Sequence, residues 1–235
     1  MTGRPSRITY EAIVAAGVKL GMEQLSLTAV AAELQVSAAA LYRHIAGRWE
    51  LERIVGEAIL EELTIDDDPS LSVEQYLLSF SRQLWEFIDE HPGMGGYLAV
   101  LFPRGRAGAA LLRETTKALQ DRGMSTPVAL VLPTTVTSLT IALAALAERD
   151  RQGRANAGYH EELARAEQVV QAEGELGVVA AQMPAVSPTG FCQILIAAAI
   201  SDLLGVAERH GDDMNALVAH YQRLCAITLM EENDG

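Results

Sequence analysis

Apolar side chains recur along this chain at intervals of three and four residues, and no stretch of useful length alternates polar with apolar. That spacing lays a stripe down one side of a helix, and in a soluble chain such a stripe is best buried against other helices. Only 2 Trp, 6 Tyr and 4 Phe occur among 235 residues. Any core must therefore rest on Ala, Leu, Val and Ile, a mixture that favours helix on helix over a β-sandwich. The expected class is all-α. Cys192 and Cys225 are far apart and lack metal-ligand spacing, which excludes a disulfide scaffold or zinc site as the basis of the fold. Both lie on apolar stripes, as buried thiols of a reducing compartment do. The start, through Arg4 and Arg7, is polar and basic with no apolar run behind it, so a cytoplasmic protein without a secretory signal is expected.

Two stretches carry no charge, Gly123 to Ala147 and Leu176 to Ser201. Both are long enough to span a bilayer, but Pro127, Pro133 and five threonines interrupt the first. Gly177, Gln182, Pro184, Pro188, Gly190 and Gln193 interrupt the second, and basic flanks are missing. Helices buried in protein, with no membrane partner, are the expectation.

Individual elements follow from stripes and caps. Ile13, Ala16, Gly17 and Leu20 form one face of a first helix that Thr9 caps and Gly21 stops. Thr28 is placed to cap a second helix through Leu34, and Ser37 a third bearing Leu41 and Ile45, ended by Ala46 and Gly47. A fourth runs from Arg48 to Leu63. The acidic, proline-containing segment Thr64 to Ser72 marks a domain boundary, dividing the chain into residues 1–65 and 66–235. Beyond it, helices are expected over Val73 to Asp89, Gly105 to Arg122, Val128 to Arg151 and His160 to Val179. A final hairpin, Thr189 to His210 and Asp212 to Glu231, turns at Gly211. The glycine-rich runs Gly93 to Gly96 and Arg104 to Gly108 follow no strand and are expected to be turns rather than phosphate loops.

The formal net charge of −13 argues at first against a nucleic-acid partner. Its distribution changes the argument. Residues 1–48 hold Arg4, Arg7, Lys19, Arg43 and Arg48 against Glu11, Glu23 and Glu33, whereas residues 61–235 are strongly acidic. An acidic body with a basic tip can dock on DNA by the tip.

The span Thr28 to Ile45 has the spacing of a helix-turn-helix, with small Ala31 where the helices cross, Val36 plugging the turn, and Leu41 and Ile45 anchoring the second of the pair. Any short helical corner packs similarly. More specific is the run Leu41-Tyr42-Arg43-His44-Ile45 followed by Gly47-Arg48-Trp49-Glu50-Leu51. Together with Val30-Ala31 and Val36-Ser37 it resembles the TetR family of bacterial transcriptional regulators over about residues 9–55. Three positions depart from the usual pattern: Gln35 replaces a turn glycine and must accept a left-handed backbone, Arg48 replaces a lysine, and Ala40 replaces a hydroxyl residue.

The resemblance implies a three-helix DNA-binding domain at the N-terminus and a helical body that dimerises and binds a small effector; the residues themselves offer no catalytic set and no metal-ligand spacing, and no cofactor is expected. Tyr42 and His44 would donate to phosphate oxygens, Arg48 would hold a phosphate, and Thr28 and Ser37 would offer hydroxyls or serve only as caps. Ala38 and Ala39 can touch thymine methyls, Arg43 a guanine edge, and an arm carrying Arg4 and Arg7 a minor groove. In the body, Phe80, Leu84, Trp85, Tyr97, Phe102, Thr137 and Thr140 could line a pocket or form plain core. Lys117 is the body's only lysine, and Arg104, Arg106 and Arg113 are expected at the surface, so the effector would be neutral or cationic and largely apolar. The expected partners are operator DNA, that effector and a second copy of the chain. A helical carrier or enzyme with no DNA role, or a protein-binding module, remains the alternative.

Overall fold

The computed structural model describes residues 8–211 apart from 183 and 185, together with 213, 215, 216 and 218–220. Among these, regular structure is entirely α-helical: eleven helices run from Tyr10 to His210, and residues 215, 216 and 218–220 are helical as well. The first, α1 (Tyr10–Gln24), is capped by Thr9, whose hydroxyl accepts from the Ala12 amide at 3.2 Å. Gly21 interrupts it: non-helical backbone there (φ 69°) kinks the helix, and one further turn follows, to Gln24.

Ser26, not Thr28, caps α2 (Leu27–Glu33), accepting from Ala29 at 3.0 Å. Thr28 falls one residue inside the helix, its hydroxyl 3.1 Å from that of Ser26. Ser37 does occupy the N-cap of α3 (Ala38–Leu41), yet its hydroxyl makes no capping bond. The fourth helix, α4 (Arg48–Leu60), ends one turn before the expected Leu63. Ile13, Val30, Leu41, Ile45, Leu51 and Val55 form the buried centre of this unit. α1 and α4 approach closely because Gly17 has no side chain; a Cβ there would lie 2.3 Å from Val55 Cγ2.

The body begins with α5 (Val73–Glu90), started by a reciprocal capping box between Ser72 and Gln75. The glycine-rich run after it is not a turn but a helix, α6 (Met94–Val100). Likewise Gly108 lies inside α7 (Arg106–Asp121), where its missing side chain admits Phe102 and Pro103. Gly95 and Gly108 serve close packing rather than reversal, so composition alone misleads.

At the centre is α8 (Thr126–Arg154), which packs on α5, α6, α7 and α11. The hydroxyls of Thr134, Thr135 and Ser138 bond back to carbonyls four residues earlier, and Ser81 of α5 meets Thr140 at 2.8 Å in the core. The expected helix over His160 to Val179 is in fact two, α9 (Ala157–Gln171) and α10 (Gly174–Gln182). The break falls at Gly174, whose φ of 46° suits glycine. The two then fold against each other, Gly177 seating on the Gln171 carbonyl. Last of the eleven is α11 (Pro188–His210). The second helix of its hairpin, expected over Asp212 to Glu231, lies largely outside the described residues, as do Arg4, Arg7 and Cys225. Cys192 is buried. By length and composition α8 and α11 could each cross a membrane; half of the most apolar window of α8 and a third of that of α11 are buried in the protein.

Candidate nucleic-acid interface

The turn between α2 and α3 is built from its hydrogen bonds. Gln35 donates to the Ala32 carbonyl at 3.1 Å and Val36 to the Ala31 carbonyl at 2.9 Å, the double bond of a Schellman ending. That ending puts Gln35 at φ 55°, as its place in the turn demands. Val36 tucks partly into the core, and Ala31, Leu41 and Ile45 are buried beneath it. Helical bonding continues past α3, with His44 and Ile45 both donating to Leu41 at 2.8 and 3.0 Å.

Anchoring that side leaves the other free. Ser37, Ala39, Tyr42, Arg43 and His44 are exposed, and Tyr42, an aromatic, keeps 58% of its surface in water. Ala38 is half-buried against the core and Ala40 fully buried, which leaves Ala39 as the freely presented alanine. Thr28 is exposed at the start of α2. After Gly47, α4 opens with Arg48, exposed and paired with Glu52 at 2.6 Å. Glu50 closes the same end by accepting from the Ala46 amide at 2.5 Å. An exposed face bearing phenol, guanidinium, imidazole and hydroxyl donors is thereby set on a buried apolar base.

Where this unit meets the body, the seam runs along α4, α6 and α7. Tyr97 of α6 lies flat against Gly56 of α4, with ring atoms as close as 2.4 Å to where a Cβ would be. Burial, aided by the charge of Glu57 and opposed by that of Arg104, pushes its phenol up to about 12. Glu57 of α4 accepts from Ala107 at the start of α7, at 2.8 Å. Glu148, a buried carboxylate of α8, accepts from the Gly93 amide at the head of α6. Gly93 in turn sits on the backbone of Met22 and Glu23 at the end of α1, and Glu23 donates to Pro92 at 3.1 Å. Sequence reasoning missed Glu57, Glu148 and Arg104. Arg104, expected at the surface, has a side chain only 7% exposed, lying over both Trp49 (5.3 Å) and Tyr97 (4.8 Å). An aromatic on each of two segments distant in sequence holds it, and nothing local announces that.

The body offers a cleft of about 350 Å³ between α5 and α11, lined by Leu78, Ser81, Trp85, Gln193 and Ile194, with Arg82 at its edge. Arg82 Nη1 donates to both carboxylate oxygens of Glu86, at 2.9 and 3.0 Å. Of the pocket candidates, Trp85 lines this cleft. Phe80, Leu84, Thr137 and Thr140 are buried in α5 and α8, while Tyr97 lies at the seam and Phe102 beside Gly108.

No family model and no curated protein matches the chain. Solved structures do. The Streptomyces coelicolor TetR family protein ActR aligns with a TM-score of 0.69 both without ligand, at 18% identity over 85% of this chain and 98% of that one, and in complex with actinorhodin, at 21% over 85% and 96%. A variant of TetR from Acinetobacter baumannii AYE in complex with minocycline aligns at 0.55, with 14% identity over 86% and 98%. From its N-terminal helix-turn-helix to α11, the chain has the fold of the TetR-family regulators.

Proposed function

We propose that the chain is a homodimeric, ligand-responsive DNA-binding transcriptional regulator, a repressor released from its operator by a small effector. The observation that carries this reading is the α2–turn–α3 unit, whose inner side is buried and whose outer side presents Tyr42, Arg43 and His44 beside Arg48. Residues 1–65 form the DNA-binding domain and 66–235 the effector and dimerisation domain. Tyr42, His44 and Arg48 hold phosphates, with Thr28 and Ser37 beside them, Arg43 and Ala39 face the bases, and Arg4 and Arg7 reach a minor groove.

The effector enters the cleft between α5 and α11. Because the charge of Arg82 is already matched, a neutral or cationic apolar molecule suits it better than a polyanion. Phe191, Ile194 and Leu195 leave an apolar strip of α11 exposed, which supports dimerisation through this helix and the segment after it. The two α3 helices then address major grooves about 34 Å apart, and effector binding favours a different spacing. In this reading α6 transmits the change, since it touches α1, α4 and α8 together. No covalent chemistry is needed, and the setting is the cytoplasm.

Selection of bound fragments from the source genome, followed by gel shift, tests the reading. Retention by the native chain and loss with the Tyr42/His44/Arg48 triple alanine variant are expected. A folded chain that retains no fragment above background overturns it in favour of a carrier or enzyme.

A further inference from the structure

Beside the first turn of α4 runs a second, more open groove of about 690 Å³, separate from the α5–α11 cleft. Its walls are Trp49 and Arg53 of α4 and Leu101, Pro103 and Arg104 of the α6–α7 connection, with Arg48 at the rim. Three guanidiniums face it against one carboxylate, Glu50, which is already engaged with the Ala46 amide at 2.5 Å and lies 3.6 Å from Arg53. On a chain of net charge −13 that is a local reversal of sign. Of the three, Arg104 is the most enclosed. Its side chain is more than nine-tenths buried, and its Nη1 has no hydrogen-bond partner. The carboxylate within ion-pair range, Glu52, is 3.8 Å away and is held by Arg48 at 2.6 Å. Nη2 donates to the Trp49 carbonyl at 3.5 Å, so the unmet donor is Nη1 alone, and a buried charged donor without an acceptor is a costly arrangement that an incoming anion relieves. The groove is also apolar where it is not cationic. Trp49, 62% exposed, and Leu101 offer uncovered hydrocarbon on facing walls.

We infer that this groove is a small-molecule site for an aromatic carboxylate, the ring lying on Trp49 and the carboxylate meeting Arg53 and Arg104. The chemistry is the bidentate match of guanidinium to carboxylate joined to stacking on an indole. The site differs in place and in charge preference from the α5–α11 cleft. Where it rests on the DNA-binding reading, one consequence follows: Arg48 borders the groove and also holds a phosphate, so ligand and DNA exclude one another.

The chain's two tryptophans report the two sites separately, Trp49 the groove and Trp85 the cleft. The full chain labelled with 5-fluorotryptophan gives two fluorine resonances, assigned with Trp49→Phe and Trp85→Phe. Titration with 1-naphthoate is expected to move the Trp49 resonance saturably, and 1-naphthalenemethanol and 1-naphthylmethylamine to leave it in place. Arg53→Gln, at a half-exposed position, and Arg104→Gln are each expected to weaken naphthoate by about tenfold. If Arg104→Gln does not fold, Arg53→Gln decides. A shift confined to Trp85, an equal response to the alcohol, or undiminished binding by Arg53→Gln overturns the site. In gel shifts naphthoate should release DNA from the native chain at concentrations that leave Arg53→Gln bound. DNA retained at a saturated Trp49 shift overturns the exclusion. A chain that never binds DNA overturns the functional reading alone, and the Trp49 titration still decides the site.

Discussion

Gln35 sits where the backbone bends left-handed between the two helices of the DNA-facing unit, at φ 55°. A side chain pays about 1 kcal/mol or more there that glycine does not. Gln35→Gly is therefore expected to raise the denaturant midpoint by the equivalent of roughly 1 kcal/mol; a drop would mean that the glutamine side chain makes a compensating contact. Gly93 and Gly123 both have positive φ, 89° and 85°, but differ in surroundings. A Cβ on Gly93 would lie 2.4 Å from the Glu23 amide nitrogen, whereas one on Gly123 meets nothing within 4 Å. Gly93→Ala should cost about 3–5 kcal/mol and Gly123→Ala only about 1–2 kcal/mol, as read by equilibrium unfolding. On the DNA face, Arg48→Ala is expected to weaken binding on all sequences alike and to lower the salt slope by about one. Arg43→Ala should cost about 1–3 kcal/mol on the selected site and little elsewhere. Salt titrations on selected and unrelated fragments separate the two, and reversal of the pattern would exchange their roles.

Among the elements, α6 depends most on its neighbours. Seven residues are too few for a helix to persist alone, and two of them are glycines. Its head is held by the Glu148 carboxylate from α8, and its middle by Tyr97 against Gly56. Glu148→Ala removes that acceptor and leaves the Gly93 amide unpaired, at a cost of about 1–3 kcal/mol. Hydrogen exchange should localise the loss to α6 and the end of α1; uniform loosening would contradict the assignment. Tyr97 has a companion in Tyr76 of α5, and burial lifts both phenols from 10.0 to about 12. Being acids with raised folded values, they contribute stability that is complete below pH 10 and disappears as pH climbs toward 12. Alkaline titration at the phenolate band should find Tyr76 and Tyr97 among the tyrosines that ionise late. Tyr76→Phe should flatten the loss of stability across that window.

For the whole molecule, the prediction concerns assembly. The exposed strip of Phe191, Ile194 and Leu195 on α11 is apolar and uncharged, while the N-terminal unit exposes its polar donors. Removal of residues 1–65 should leave a dimer in sedimentation, and removal of residues 189–235 should not. Ile194→Asp in the full chain should give a folded monomer, because a charge in a closed apolar contact goes unpaired. A monomeric but folded N-terminal deletion would move the dimer contact to the DNA-binding unit. The acidic body opposes anions at a distance, yet salt limits that effect to roughly 8 Å, so a local cluster such as Arg48, Arg53 and Arg104 acts on its own neighbourhood.

Periodicity determined that the chain is helical and which face of α1 turns inward, and the helix-turn-helix spacing that Leu41 and Ile45 anchor a helix. Such features depend on residues three or four apart, and sequence records those distances directly. The family resemblance placed the left-handed turn at Gln35, where glycine is usual, and the backbone has φ 55° there. Only the tertiary structure decided that Gly93 to Gly96 opens a helix, that Arg104 is buried, and that Ser26 rather than Thr28 caps α2. The first two depend on partners some 50 residues away, Glu148 for the one and Trp49 for the other. Ser26 and Thr28 both offer a hydroxyl near the start of α2, and it is Ser26 that accepts from the Ala29 amide. Local energies differ too little to settle such choices, and burial against distant side chains supplies the difference.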